Sequence, residues 1–295
     1  MRLPFMQVDA FTSTPLQGNP CAVIFEADGL AEEQMLAVAR EMNLSETAFV
    51  LASEQADVRA RYFTPAAEIP LAGHPTIATL YALVETGRLP VADGATTVRL
   101  ELEAGVIPVE VQVEKGRARQ VIMSQLRPQF LASYAPAEVL PAFGLEPEAA
   151  RADLPLQTVS TGTPQLMVPL REQEALRRAQ IDPPAYRALK EKADFFSVHL
   201  FCMQGFTPAG ATSARHLGLP PEPPEDPFTG SATGNMGAYL WRYGLLREPF
   251  FVAEQGHWMH RPGQATVEVV GPRHDISTVR VGGEAVAVLD GELRL

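Results

Sequence analysis

A glycine followed by a polar residue stands twice where a helical stretch begins, as Gly73-His74 and as Gly230-Ser231. A helix start leaves backbone N–H groups without intrahelical partners and carries roughly half a positive charge, so with glycine admitting a close approach it forms an anion site. One such glycine is ordinary helix punctuation. Two at matching places of an internal repeat point to one small carboxylate-bearing guest held by both. Glu46, in Ser45-Glu46-Thr47, lies between a helical segment and the strand after it, where side chains project from the end of a sheet. It is either a solvated turn glutamate or a general acid/base, and the second role requires burial or a neighbouring charge to bring a carboxyl pKa toward working pH. Asp226, in Glu225-Asp226-Pro227, is open to the same two readings, since Asp-Pro commonly starts a turn. His74 is either a capping group or a proton shuttle.

The elements that must position these residues come in two similar sets. Phe63-Thr64-Pro65-Ala66 recurs as Phe206-Thr207-Pro208-Ala209, and a constant offset of 157 aligns Glu68 with Glu225, Pro70 with Pro227, Gly73 with Gly230, Thr76 with Thr233, Gly87 with Gly244 and Leu89 with Leu246. A fainter echo at offset 144 pairs Gly18 and Pro20 with Gly162 and Pro164. The tetrapeptides lie 143 apart, so the second half is expected to carry about fourteen extra residues before its glycine. Self-similarity at so long a period predicts two pseudo-symmetric domains, with function between them, rather than a solenoid of short repeats. The expected boundaries are 1–120, completed by a returning C-terminal strand at 282–295, and 121–281.

In the first half, Val8 to Phe11 and Ala22 to Phe25 read as strands joined by a turn-rich loop, Ala31 to Met42 as a helix stopped at Asn43, and Thr47 to Leu51 and Arg59 to Phe63 as strands. Pro75 to Glu85 reads as an apolar helix with Gly87 just past its end, and Val98 to Val113 as a hairpin. The second half repeats the programme, with helices at 184–192 and 231–243 and strands at 166–170, 195–203, 252–259 and 265–270. Pro220 to Pro227 falls among the extra residues and reads as a stiff loop, because so many prolines exclude helix and central strand.

Composition narrows the function classes. Lys and Arg total 24 against 35 Asp and Glu, and the resulting formal charge of −11 repels nucleic acid and anionic membranes. No basic-then-apolar leader precedes Asp9, and the longest uncharged stretch, Phe195 to Ala214, is broken by Gln204, Gly205 and Pro208. Neither a secretory signal nor a membrane span is expected, and the expected compartment is the cytoplasm. Cys21 and Cys202 stand in no paired spacing, which supports neither a disulfide framework nor a zinc site. His257-x-x-His260 has no third ligand at suitable spacing, so no metal is expected. Gly230, Gly234 and Gly237 do not form a dinucleotide fingerprint, and Ser231 follows its glycine directly, which rules against a nucleophile elbow.

The motifs Val8-Asp9-Ala10-Phe11-Thr12, Gly18-Asn19-Pro20, Ser45-Glu46-Thr47-Ala48-Phe49-Val50, Arg61-Tyr62-Phe63-Thr64-Pro65, Gly73-His74-Pro75-Thr76, Glu225-Asp226-Pro227 with Thr229-Gly230-Ser231-Ala232, and Glu254-Gln255-Gly256 with Arg261-Pro262 run nearly end to end. Through them the chain resembles the PhzF-like isomerases of phenazine biosynthesis. The resemblance implies an α+β fold of the diaminopimelate-epimerase type: two pseudo-symmetric domains, each a mostly antiparallel sheet wrapped around a central helix. It also implies a homodimer that works without a cofactor on a small anionic metabolite.

The family's catalytic glutamate falls on Glu46, which would take a proton from one carbon of a cyclic, dihydro-hydroxyanthranilate-like diene acid and return it to another. His74 and Asp226 would join it in catalysis, and Asn19, Gly73, Gly230 and Ser231 would bind substrate. Other members of the fold are racemases and epimerases with a cysteine beside each helix-start glycine. Here Ala72 and Thr229 hold those places, so a two-thiol stereoinversion has no bases. Three departures from the family pattern stand out: Phe206-Thr207-Pro208 in place of Phe-Ala-Pro, a longer connection to Asp226 that includes Arg215 and His216, and His260 in place of glycine. A non-catalytic ligand-binding or protein-interaction member of the fold is the second reading.

Overall fold

The computed structural model describes residues 1–220 and 223–295, and the chain divides into two units, Met1–Met123 with Gly282–Leu295, and Ser124–Val281. The first unit runs β1 (Arg2–Ala10), β2 (Asn19–Ile24), α1 (Glu32–Met42), β3 (Glu46–Leu51), β4 (Val58–Phe63), β5 (Glu68–Ile69), α2 (Gly73–Glu85), β6 (Gly94–Leu102), β7 (Gly105–Glu114) and β8 (Arg117–Ser124). β1 lies antiparallel to β2 and to the C-terminal strand Ala285–Arg294, β2 runs parallel to β3, and β3 is antiparallel to β4. β4 pairs antiparallel with β5 and parallel with β6, and β6, β7 and β8 form a meander.

Ten of the thirteen residues of α2 are buried, with Ile77, Leu80, Leu83 and Val84 on one side and Pro75, Ala78 and Ala82 on the other. A helix apolar all round has no side to give to water, so the sheet must wrap it. Burying four such aliphatic side chains contributes about 1.5–3 kcal/mol each. α1 buries only Met35, Val38 and Ala39, against Ile24, Phe49 and Phe63, and ends at Asn43, whose φ of 51° is left-handed.

The second unit runs β9 (Gln129–Tyr134), α3 (Pro136–Val139), β10 (Leu156–Ser160), β11 (Pro164–Pro169), α4 (Gln173–Arg178), α5 (Pro183–Lys190), β12 (Ser197–Cys202), β13 (Gly210–Leu217), β14 (Glu225–Asp226), α6 (Gly230–Arg242), β15 (Phe250–Gln255), β16 (Gly263–Val270) and β17 (Thr278–Gly283). Its pairings repeat those of the first unit: β10 with β11 antiparallel, β11 with β12 parallel, β12 with β13 antiparallel, β13 with β14 antiparallel and with β15 parallel, and β15 with β16 antiparallel. α6, like α2, has thirteen residues of which ten are buried. It achieves this with small residues: a Cβ on Gly237 would stand 2.7 Å from Val267 Cγ1.

The offset of 157 is therefore structural, since it carries β5 onto β14 and α2 onto α6. The repeated tetrapeptide is not. Phe63-Thr64-Pro65-Ala66 follows β4 and turns into β5, whereas Phe206-Thr207-Pro208-Ala209 precedes β13. The true counterpart of β4 is β13, and each carries an arginine that grips the glutamate of the next short strand. Arg61 Nε donates to Glu68 Oε1 at 2.7 Å, and Arg215 Nε to Glu225 Oε1 at 2.9 Å. From arginine to glutamate is seven residues in one unit and ten in the other, so the expected insertion of about fourteen shrinks to three here.

Gly-Ala-Thr-Ser-Ala-Arg-His-Leu has few of the branched or aromatic residues that mark a strand, and β13 is legible only through its partners. Glu225 and Asp226 also pair as strand rather than loop, at register positions opposite Leu217 and His216. Pro221 and Glu222 of the proline-rich run lie outside the described residues. The strand expected at 252–259 stops at Gln255, because Gly256 turns at φ 85° into a short 3-10 segment. Among the described residues no helix is long and apolar enough to cross a membrane.

Candidate active site

In the first unit the loop between β1 and β2 delivers Asn19. Asp9 is almost wholly buried and accepts a hydrogen bond from the Leu16 N–H at 2.7 Å. Gly18 then takes φ +60°, where a Cβ would lie 2.2 Å from the Ala10 carbonyl oxygen, so only glycine can make the turn. Asn19 is fully buried, with Nδ2 3.3 Å from His74 Nδ1. The other ring nitrogen, Nε2, lies 3.2 Å from Glu46 Oε2. Asn19 at the start of β2, His74 at the second position of α2 and Glu46 at the start of β3 thus form one line. The ring faces two side chains and does not cap its own helix, and the cap position itself is held by Ala72, which makes no side-chain cap bond.

Burial lowers the His74 pKa to about 3, so the imidazole is neutral at working pH. The Glu46 side chain keeps 18% of its exposure and is the member of the line that reaches outward. Cys21 stands opposite Glu46 in the β2–β3 register, and burial first, then the Glu46 charge, push its thiol up so that it stays protonated.

In the second unit Asp226 Oδ2 accepts from the Thr229 hydroxyl at 2.5 Å. Thr229 occupies the cap position of α6, yet with its hydroxyl turned to Asp226 it caps nothing. Gln255 secures the stretch from the side: its Nε2 donates to the Asp226 carbonyl at 2.8 Å, and its Oε1 accepts from the Thr229 N–H at 3.2 Å. Gly256 must be glycine, since a Cβ there would lie 2.6 Å from the Pro227 carbonyl oxygen. Ser231 Oγ accepts from Gln165 Nε2 at 3.0 Å, and the Gly230 carbonyl accepts from Gln125 Nε2 at 2.9 Å.

The residues singled out from the sequence thus fall in two groups: Asn19, Glu46, Gly73 and His74 together in one unit, and Asp226, Gly230 and Ser231 along one six-residue stretch of the other. Gln255 stood in the motif Glu254-Gln255-Gly256 without a role, and nothing in the sequence marked Gln165 or Gln125. Glu254 is a buried carboxylate that accepts from the Thr207 hydroxyl at 2.6 Å, from Gln264 Nε2 at 2.8 Å and from the Phe206 and Thr207 N–H groups, and so fixes the loop before β13. His257 stacks on Phe206 with ring centroids 3.9 Å apart. His260, where the resemblance leads one to expect glycine, adopts a left-handed φ of 57°.

A model of the phenazine biosynthesis-like protein family, PhzC-PhzF, matches residues 8–291. The chain belongs to this family. The uncharacterized isomerase YfhB of Bacillus subtilis is 35% identical over 266 residues, 90% of this chain and 89% of that one. The trans-2,3-dihydro-3-hydroxyanthranilate isomerase of Pseudomonas aeruginosa is 34% identical over 310 residues, covering 99% of each chain. The crystal structure of a PhzF-family phenazine biosynthesis protein from Bacillus anthracis superposes with a TM-score of 0.89 at 33% identity, covering all of both chains. A hydroxyproline epimerase from Agrobacterium vitis, 15% identical with a TM-score of 0.65, shares the fold alone. The chain is accordingly an isomerase of the PhzF family with the epimerase-like α+β fold.

Proposed function

We propose that this PhzF-family isomerase shifts a proton within a small carboxylate-bearing substrate of the dihydro-hydroxyanthranilate type, with Glu46 as base and then as acid. The line Asn19–His74–Glu46 carries the proposal. A cationic imidazole 3.2 Å from a carboxylate would hold it ionised and weaken it as a base, whereas the neutral ring of His74 orients Glu46 without neutralising it. Glu46 removes a proton from one ring carbon, the C–H electron pair passes into the diene, and the same carboxyl returns a proton to another carbon. Nothing is gained or lost overall, and the step asks for no cofactor.

In this reading Gly73, Gly230 and Ser231, at the two helix starts, bind the substrate, whose carboxylate is taken by such a start, and Asp226 serves its polar side. Exclusion of water there lets one carboxyl act in both protonation states. Ala72 and Thr229 at the two cap positions, and a protonated, buried Cys21, leave no thiol pair for a stereoinversion. The name of the Pseudomonas aeruginosa relative supports the substrate class. By family likeness the working form is a cytoplasmic homodimer, which sedimentation of the purified protein checks for assembly.

Glu46→Gln tests the reading. It keeps shape and removes the base, so the variant should melt within a few degrees of the parent while turnover of trans-2,3-dihydro-3-hydroxyanthranilate falls by about 10²- to 10⁴-fold. Full activity in that variant would sink it.

A further inference from the structure

Ser231 can give a proton to a ligand only if nothing inside the protein takes it first, and a chain of fixed hydrogen bonds settles that question. The Thr161 backbone N–H, which can only donate, is 2.7 Å from Asn235 Oδ1. The Thr163 carbonyl, which can only accept, is 2.9 Å from Asn235 Nδ2. Two backbone groups thus dictate which way round the Asn235 amide sits, without recourse to the resemblance of its nitrogen and oxygen. Asn235 Nδ2 also donates to Gln165 Oε1 at 2.6 Å, which turns the Gln165 NH2 group toward Ser231. Gln165 Nε2 donates to Ser231 Oγ at 3.0 Å. The Ser231 oxygen is therefore an acceptor on its inner side, and among the described residues its own proton has no acceptor.

Gln165 and Asn235 are 2% and 0% exposed, too deep for water to scramble the order. In the first unit a buried amide also lies beside the residue at the matching helix position, Asn19 Nδ2 being 3.3 Å from His74 Nδ1.

We propose that Gln165 is a positioning residue: it compels the Ser231 hydroxyl to donate outward and so makes the start of α6 select a hydrogen-bond acceptor, a carboxylate oxygen of the substrate. This rests on the reading of that helix start as a carboxylate site. Gln165→Glu is the informative change. An ionised carboxylate in the same place still accepts from Asn235, but it also accepts from Ser231, which reverses the hydroxyl and removes the donor from the ligand. Burial favours the protonated acid, which would donate as the amide does, so the variant is read on the alkaline side of its own pH profile.

The experiment is a double-mutant cycle of Gln165→Glu with Ser231→Ala, read by KM and kcat for trans-2,3-dihydro-3-hydroxyanthranilate and by calorimetric binding of 3-hydroxyanthranilate, an aromatic acid that needs no turnover. Each single variant should raise KM and Kd about tenfold or more, the worth of one hydrogen bond to a charged group, with a smaller change in kcat. The double variant should be no worse than Ser231→Ala alone. Wild-type KM and Kd in Gln165→Glu, or effects of the two changes that multiply, overturn the inference while leaving the carboxylate site standing. Unchanged values in Ser231→Ala overturn the carboxylate site and the inference together. Should Gln165→Glu fail to fold, Gln165→Met replaces it. That change frees the hydroxyl to turn, so a smaller rise confined to the Ser231 background is expected, and a rise persisting in Ser231→Ala overturns the inference.

Discussion

Acidification from pH 7 to pH 5 should cost this fold more than its carboxylates alone would, because three histidines, two of them buried and one part-exposed, are held in their neutral form. Burial lowers His74 to about 3 and His216 to about 4, and burial followed by the neighbouring His216 holds His199 well below its ordinary value. An unfolded histidine takes up its proton near pH 6.5, so below that pH the unfolded chain binds protons that the native one refuses. The stabilisation is complete above pH 6.5 and drains away as pH falls toward the native values. For a group whose native pKa lies below 5 the loss between pH 7 and 5 is about 2 kcal/mol. His74, 5% exposed and lowered to about 3, loses its share in full, about 2 kcal/mol, and His199, 0% exposed and held well below its ordinary value, loses in the same direction. His216, part-exposed, adds less.

That loss is a large fraction of the roughly 5–15 kcal/mol that holds a domain folded. Urea denaturation of wild type and His199→Phe at pH 7, 6 and 5 isolates one share. Phenylalanine keeps the stack on Phe201 and cannot titrate. Whatever its stability at pH 7, the variant should lose less than wild type on reaching pH 5, by up to the roughly 2 kcal/mol of a histidine kept neutral throughout. Equal losses in the two proteins would refute the claim that His199 is held neutral.

Two further outcomes concern how the site is supported. At Glu254 burial favours the protonated form, but hydrogen bonds from Thr207, Phe206 and Gln264 outweigh it and hold the pKa below the usual carboxylate value. Its contribution is complete above about pH 4.3 and lost as pH falls through the native pKa. Glu254→Gln should therefore be less stable at neutral pH by about 1–3 kcal/mol and should show a shallower acid-unfolding limb in a circular-dichroism pH titration. Gly237→Ala places a Cβ 2.7 Å from Val267 Cγ1, inside the packing of α6. It should cost about 1–3 kcal/mol in chemical denaturation and lower the melting temperature, while Gly87→Ala, with nothing within 4 Å of its Cβ, pays only for its positive φ.

The sequence disclosed the architecture wherever pattern and chemistry coincided. α2 and α6 are apolar, start at glycine and keep an offset of 157, so both were legible. The tetrapeptide misled because identity of four residues carries no topology, and the arginine–glutamate grips at Arg61 and Arg215 show where the repeat truly runs. β13 escaped because Ala, Thr and Ser dominate it and neighbouring strands, not propensity, make it a strand. Glu46, His74 and Asp226 were visible as chemically apt side chains, whereas Gln165, Gln125 and Gln255 were not. A glutamine gains meaning only from what the fold places at either end of its amide, and those partners lie far off in sequence, 66 residues away for Gln165 and Ser231.

The central claim is that Glu46 itself carries the proton. Turnover of trans-2,3-dihydro-3-hydroxyanthranilate in heavy water, followed by proton NMR, tests it on wild type and on Glu46→Gln, with binding of 3-hydroxyanthranilate showing that the variant's site is intact. Wild type should place solvent deuterium on the carbon that receives the proton, and the variant should bind the acid yet exchange nothing. Deuterium entering at the wild-type rate in Glu46→Gln would contradict the account.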